Sequence, residues 1–472
     1  MRQLDIALII PESGPKRPAA LRMVSRLHED PRFNVQAMLE APPPATELPG
    51  GFARYLTWEA KAQSRKADGL FAALEQSVPL VAAIGTSVRE VDVVVDAAWN
   101  AGALELVPFA KAGVWRLSGF LPDAGVAEAA GAAPETVVRL TCHDGDGVHE
   151  IARAVFGTKF MASRHSTYVA EKCLPLLLAE LARLRVSGAR ADLGDRQEEA
   201  LAAPPLAPYL GQMTGELGRR GLEKALGKLG RKPGQWCLLV GEGSPAEFEP
   251  ARGKTIVPDG NRYWADPFLY RAGGETYIFF EDYEYATGKG HISTGRLEDG
   301  RLLDVTAVLK RPYHLSYPFI FEHEGRTLMM PEAHQAGRLE IWQADEFPHS
   351  WSLYSSGLEG VPATDSVLFE AEDGWWLFTN IDSGCGGDPS SELHLYRVSG
   401  PDLKDAVPHP LNPVVVGSKT ARGGGRVFRS EGRLLRAAQN NTHGVYGWGL
   451  NIMEITRLDD SGYEERLFRQ FS

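Results

Sequence analysis

The 472-residue chain lacks most of the short motifs that mark a chemistry. It has only four cysteines, Cys142, Cys173, Cys237 and Cys385, and no two of them form a CxxC pair. This pattern excludes a cysteine zinc site and a disulfide framework, and it fits thiols kept reduced. No apolar run approaches the ~18 residues that a membrane helix needs. The opening MRQLDIALIIPESG is too briefly apolar for an export signal and reads as a first strand, so a cytoplasmic protein is expected. Positive charge is also short. The 50 Lys and Arg against 61 Asp and Glu leave a net charge of −11, and no nucleic-acid partner is expected. The twelve histidines build no HExxH pair, and there is no GxSxG elbow, GxGxxG turn or GxxxxGK[ST] loop. Neither a metal nor a cofactor is expected.

Three regions follow from the patterning. Residues 1–186 alternate strand-like and helix-like segments: Leu4–Ile10, a helix over Pro18–His28, Phe33–Leu39, the apolar Val91–Trp99, then Gly113–Ser118 and Thr136–His143, closed by a long helix from about Ser166 to Arg185. Continuous Val/Ile/Leu runs between helices predict a Rossmann-like α/β domain whose parallel sheet is covered on both faces. Residues 187–234 form a linker. Within it, positions 209–232 bring Leu210, Met213, Leu217, Leu222, Leu226 and Leu229 near helical spacing, with Arg219, Arg220, Lys224, Lys228, Arg231 and Lys232 on the polar side. This pattern fits a helix packed between domains or a basic amphipathic helix making peripheral membrane contact. Residues 235–472 are β-rich to the end.

The β-rich region repeats itself. Ala265-Asp266-Pro267-Phe268-Leu269, Ser316-Tyr317-Pro318-Phe319-Ile320, Thr364-Asp365-Ser366-Val367-Leu368 and Gly424-Gly425-Arg426-Val427-Phe428 each open a strand. Each is followed by a turn and a second strand ending in a polar residue: Glu281, Glu332, Asn380 and Gln439. Asp266 to Glu281, Tyr317 to Glu332 and Asp365 to Asn380 are each 15 positions apart, whereas Gly425 to Gln439 is 14. A repeat of this size with several strands per unit predicts a β-propeller. The loose strands Trp236–Val240 and Tyr463–Phe471 would share a fifth blade and close the ring.

Such a ring gathers the repeated polar positions at one hub. Glycosyl chemistry needs one carboxylate facing the sugar and one carboxylic acid for the leaving oxygen. Asp266, as base or nucleophile, Glu332, as acid, and Asp365, as the group that tunes them, are the catalytic candidates. Glu281, Asn380, Gln439, His334 and His443 would bind substrate, and Arg426 would clamp an anion. The competing reading gives these residues structural work, since Asp before Pro caps turns and polar hub positions satisfy backbone groups. Glu281 and Asp282 are adjacent in a strand, so only one of them can point inward.

Tyr263-Trp264-Ala265-Asp266-Pro267-Phe268-Leu269, the Tyr-Pro-Phe-Ile segment and Arg436-Ala437-Ala438-Gln439 with Tyr446-Gly447 resemble motifs of the five-bladed propeller clan of arabinanases, xylosidases and invertases. Residues 235–472 resemble more closely the N-terminal region of glucosamine inositolphosphorylceramide transferases. The resemblance implies a carbohydrate-active role in glycoconjugate or surface-polysaccharide synthesis, with a sugar, glycolipid or nucleotide-sugar partner and with Asp266 at the clan's blade-one acid position. Asn380 stands where the clan carries its acid Glu. A non-catalytic carbohydrate- or partner-binding scaffold is the alternative. In the first region, Val91–Leu117 resembles the strand–helix–strand of folate-dependent formyltransferases. Their Asn-x-His-x-Ser-x-Leu-Pro segment is reduced here to Leu121-Pro122, with Asp144 or Asp146 left for the later Asp. A sugar N-formyltransferase would bind its folate near Arg116 and Asp144, but without the His no proton relay for formyl transfer is evident.

Overall fold

The computed structural model describes residues 2–63, 90–194, 205–228, 236–244, 247–383 and 388–471. Leu229, Arg231, Lys232 and Cys385, each named above, lie outside them. The first unit is a six-stranded sheet of β1 (Leu4–Pro11), β2 (Phe33–Ala41), β3 (Val93–Asp96), β4 (Val114–Leu117), β5 (Glu135–Asp144) and β6 (Gly147–Gly157), in the order β2-β1-β3-β4-β5-β6. The first four strands run parallel, and β5 and β6 add on as an antiparallel hairpin. The expected α/β sheet is therefore mixed rather than wholly parallel. Its apolar strands are buried on both faces, with Ile6, Leu8, Val93 and Val95 in one core and Ala7, Ile9 and Val94 in another. Helices α1 (Arg17–Glu29), α2 (Gly50–Gln63), α3 (Val126–Ala130), α4 (Ala162–Glu171) and α5 (Cys173–Ser187) accompany the sheet.

The linker helix is α6 (Leu206–Lys228). Its first half packs on the first unit: Tyr209 and Met213 are buried with Phe52, Val126 and Ala162. Further along, Leu217 and Leu222 are exposed.

The second unit begins with a two-stranded ribbon, β7 (Leu238–Val240) and β8 (Lys254–Ile256). Four blades follow. The first has β9 (Arg262–Ala272), β10 (Glu275–Glu284), β11 (Lys289–Glu298) and β12 (Arg301–Leu309). The second has β13 (Ser316–His323), β14 (Arg326–Glu332), β15 (Leu339–Glu346) and β16 (Ser350–Gly357). The third has β17 (Thr364–Ala371), β18 (Gly374–Asn380) and β19 (Glu392–Val398), with the short β20 (Val407–Pro408) and β21 (Val415–Val416) both pairing with β19. The fourth has β22 (Gly423–Ser430), β23 (Arg433–Asn440), β24 (Gly449–Asp459) and β25 (Gly462–Phe471). The opening strands touch in sequence, β9 to β13 to β17 to β22, and β22 touches β9 again, so they surround one hub.

The expected shared fifth blade is not formed among the described residues. Tyr463–Phe471 completes the fourth blade by pairing with β24, and the strand near Trp236 pairs with β8 instead. Within the fourth blade, Arg436 is buried and grips Glu465 of β25 through two nitrogens, at 2.7 and 3.0 Å. That bidentate pair ties the last strand to its own sheet. The ribbon packs Leu238 against Trp264, Ile278 and Phe280 of the first blade.

The two units meet along the third and fourth blades. Ser418 N–H donates to the Val155 carbonyl at 2.8 Å, and His443 N–H to the Pro134 carbonyl at 3.0 Å. Arg32 reaches the Asn412 carbonyl at 2.7 Å. Gly157 sits so close to the propeller that a Cβ there would lie 2.7 Å from the Asn441 carbonyl oxygen. Only glycine fits that approach.

Candidate functional site: an acidic hub around one arginine

Each repeat carries a register slip where its opening strand begins, the same in the first three blades. In the first three blades the opening strand holds one extra residue against its partner. The register runs from Phe268↔Phe279 to Ala265↔Glu281, from Phe319↔Met330 to Ser316↔Glu332, and from Val367↔Phe378 to Thr364↔Asn380. These are β-bulges, and the residue after Ala265, Ser316 and Thr364 is left-handed in every case: Asp266 at φ 51°, Tyr317 at 47° and Asp365 at 46°. The fourth strand carries the larger slip from Val427↔Arg436 to Gly423↔Ala438, with Gly425 at φ 149°. A non-glycine residue in this backbone region costs about 1–2 kcal/mol, and such strain concentrates where side-chain aim matters. The bulges place Asp266, Tyr317 and Asp365 at the hub, beside the strand-end residues Glu281, Glu332 and Asn380.

The hub is short of positive charge. Arg422, at the entry to β22, is almost fully buried and donates through Nε to Oδ2 of buried Asp365. Its Nη2 lies 3.9 Å from Glu332 Oε2, which also accepts the Asp365 N–H at 3.1 Å. Asp266 faces the Tyr317 N–H, and the charges of Asp365 and Glu281 both act on it. Burial first, and then those two neighbouring carboxylates, raise the Asp266 carboxyl well above the usual range, against the opposing charge of Arg422. Burial raises Asp365 as well, opposed by Arg422 and reinforced by Glu332. The pair titrates as a unit.

Glu281 points to the hub and Asp282 away from it, as strand alternation requires. Asp282 binds Arg262 at 2.9 Å and Ser293 at 3.1 Å. Glu281 accepts from Tyr263 Oη at 3.1 Å and lies 3.3 Å from His314 Nε2. His314 Nδ1 accepts the Gly290 N–H at 2.9 Å, which leaves the Nε2 proton facing Glu281. That contact raises the His314 pKa against the opposing effect of burial. Tyr263 and Tyr283 stack at 4.6 Å beside it.

Several residues named from sequence have other employment. Asn380 is fully buried, and its amide is spent on the Glu392 and Ala421 carbonyls and the Gly423 N–H, at 2.7, 2.9 and 2.8 Å. It stitches the third blade to the fourth. Arg426 does not stand free as an anion clamp. It donates to the Leu269 and Ile320 carbonyls at 3.1 and 3.2 Å and lies over the Phe268 and Phe319 rings. Gln439 is partly buried, with its N–H on the Arg422 carbonyl at 2.9 Å and no partner for Oε1 among the described residues. His334 is exposed in a short 3-10 turn, and exposed His443 stacks on Trp448 at 4.5 Å, toward the first unit.

In the first unit, Arg116 donates to Asp96 at 2.9 Å and to the Asn100 carbonyl at 2.6 Å. Asp144 is bound to Arg190 and caps its own hairpin through the Asp146 and Gly147 N–H groups. Both proposed folate contacts are therefore already engaged within the protein. Reading the sequence alone missed Arg422, His314, Tyr317 and Tyr446. Tyr317 is inside the repeat but carries no charge. Arg422 lies just outside it, in one copy only.

Residues 255–469 match the family described as glucosamine inositolphosphorylceramide transferase 1, N-terminal. The chain is similar to glucosamine inositolphosphorylceramide transferase 1 of Oryza sativa subsp. indica, 34% identical over 209 residues, covering 43% of this chain and 28% of that protein. The Arabidopsis thaliana protein of the same name is 33% identical, with coverage of 43% and 27%. The chain thus spans just over a quarter of the length of these relatives. Among solved structures it is similar to a family 117 glycoside hydrolase of Zobellia galactanivorans, with TM-score 0.35 and 12% identity over 50% of this chain and 75% of that one. It is also similar to a xylan beta-1,4-xylosidase of Bacillus halodurans, with TM-score 0.33 and 16% identity over 45% and 43%.

Proposed function

We propose that this protein is carbohydrate-active and that glycosyl transfer or glycosidic bond cleavage takes place at the propeller hub, in the synthesis of a glycoconjugate or surface polysaccharide. One observation carries the reading. Asp365 and Glu332 share Arg422, and Asp266, on the bulge of another blade, feels the charges of Asp365, Glu281 and Arg422. Carboxyls crowded in this way favour holding a proton among them, and a retained proton beside an ionised carboxylate is what glycosyl chemistry uses. The electrostatics exchange the roles first assigned. Asp266 is the proton donor, because burial and two neighbouring carboxylates raise its carboxyl above the usual range. Glu332, held by Arg422 and the Asp365 N–H, is the carboxylate that faces the sugar or its nucleophile. Asp365 and Arg422 position the other two. The names of the sequence relatives point to the same substrate class of sugars and glycolipids.

A binding scaffold is the second reading, favoured by Asn380, whose amide is wholly committed to backbone where the glycosidase clan has an acid. For the first unit we propose a formyltransferase-like scaffold without formyl-transfer chemistry. We also propose that α6 touches membrane through exposed Leu217 and Leu222. The test of the hub uses nitrophenyl glycosides for cleavage and UDP-sugars with glycolipid acceptors for transfer. Wild-type turnover that falls in Asp266→Asn and Glu332→Gln, with binding retained, supports the reading. Turnover unchanged in both variants overturns it.

A further inference from the structure

A cleft of about 760 Å³ opens between the two units, walled by the end of β6, α4, α6 and the loop after β23. Four cations line it, Lys159, Arg164, Arg219 and Arg220, against two carboxylates, Glu216 and Asp388. Both acids are already matched. Glu216 holds Arg219 at 2.7 Å and Arg220 at 2.6 Å, and Asp388 holds Lys172 at 3.4 Å. Lys159 and Arg164 are left over: among the described residues neither has a salt-bridge partner. The Lys159 ammonium instead lies 4.4 Å from the centre of the Tyr168 ring; burial acts on it first, and the charge of Asp388, shared with Lys172, supports it against those of Lys172 and Arg164. A surplus of cations in a concave site, on a chain with net charge −11, attracts anions. Asn441, also in the lining, accepts the Gly447 N–H at 2.7 Å and has no partner for its Nδ2 among the described residues.

The opposite wall is aromatic and continuous with the hub. Trp448 stacks on His443 with 11° between the ring planes, and Trp448 and Tyr446 are 42% and 56% exposed. The Arg422 guanidinium lies 5.9 Å from the Tyr446 ring centre, and the charges of Asp365, Asp266 and Glu332 all reach the Tyr446 phenol. Tyr446 thus stands between the acidic hub and the cationic cleft. We propose that this cleft binds the phosphate of a phosphate-bearing sugar substrate, with Lys159 and Arg164 taking the phosphate and Tyr446 and Trp448 carrying the attached ring toward the hub. The inference rests on the hub as the reacting site but concerns binding alone. A nucleoside-diphosphate sugar and a phosphate-linked lipid headgroup present the same group to the cleft.

The experiment titrates the full chain at low salt with pyrophosphate and UDP, read by calorimetry and tryptophan fluorescence. In parallel, co-sedimentation is measured with vesicles containing phosphatidylinositol. Saturable binding of UDP or of vesicles is expected and identifies the source of the phosphate. Lys159→Ala and the exposed Arg164→Glu should each weaken it by at least about tenfold, as loss of a charge-assisted contact does. Trp448→Ala should weaken UDP more than pyrophosphate. Asp266→Asn should leave binding unchanged, so a dead hub with an intact cleft remains distinguishable from a failed cleft. No binding by wild type, or binding indifferent to both cation variants while their melting temperatures stay wild-type, overturns the proposal.

Discussion

Both units bury an aspartate against an arginine at the ends of their strands, and the two pairs behave differently. In the first unit, Asp96 meets Arg116 and also accepts the Ala98 and Asn100 N–H groups at 3.0 and 3.3 Å. Burial raises its carboxyl, and every neighbour acts to lower it. In the hub, Arg422 serves Asp365 and Glu332 together, and Asp266 feels the charges of Asp365 and Glu281, which raise it further. The chemistry of each contact is the same and only the stoichiometry differs. One acid to one base, with backbone donors, is a fastening. Several acids sharing one arginine favour a stored proton, and they lie on strained bulges where Asp96 has regular strand.

Removing the arginines breaks the comparison most severely. Arg422→Met should cost the propeller about 3–5 kcal/mol near pH 7.5, the usual penalty for orphaning buried charge, and calorimetry should show the loss confined to the propeller transition. The same change at Arg116 should destabilise the first unit and spare turnover. The aspartates come next. Asp266→Asn should lower turnover by about 100-fold or more, the usual contribution of a positioned acid, whereas Asp96→Asn should alter stability and leave turnover per folded molecule unchanged.

The pH dependence sharpens the contrast further. The folded-state pKa of Asp266 lies above its unfolded value, so the folded protein binds more protons. Stability is therefore full below the ordinary carboxylate range and is lost as pH rises through the folded-state pKa. Asp266→Asn should flatten that decline, raising the melting temperature at pH 9 by about 2–4 °C relative to wild type. The smallest effect is expected at the seam. Gly157→Ala should push the units apart at Asn441 for about 1–3 kcal/mol, read as faster proteolysis between them with both folds intact.

The repeat at Asp266, Tyr317 and Asp365 was legible because the bulge demands the same offset from the polar strand end in the first three blades. The fourth copy's shorter spacing even reflected its different slip. Positive φ was strongly readable only at Gly425, because tyrosine carries no mark of it and aspartate a weak one. The blade count misled because a closing strand and a fourth-blade strand share one alternating pattern, and the Arg436–Glu465 grip that decides between them is a long-range contact. Arg426 and Arg422 are four residues apart and equivalent in composition. Burial against the Phe268 and Phe319 rings took one, and the acids took the other.

Infrared difference titration of the carboxyl C=O stretch tests the shared-proton hub most directly. A protonated, buried carboxyl that persists at pH 7 in wild type and vanishes in Asp266→Asn is the expected result. A spectrum with every carboxyl ionised above pH 6, or one unchanged by that substitution, would contradict it.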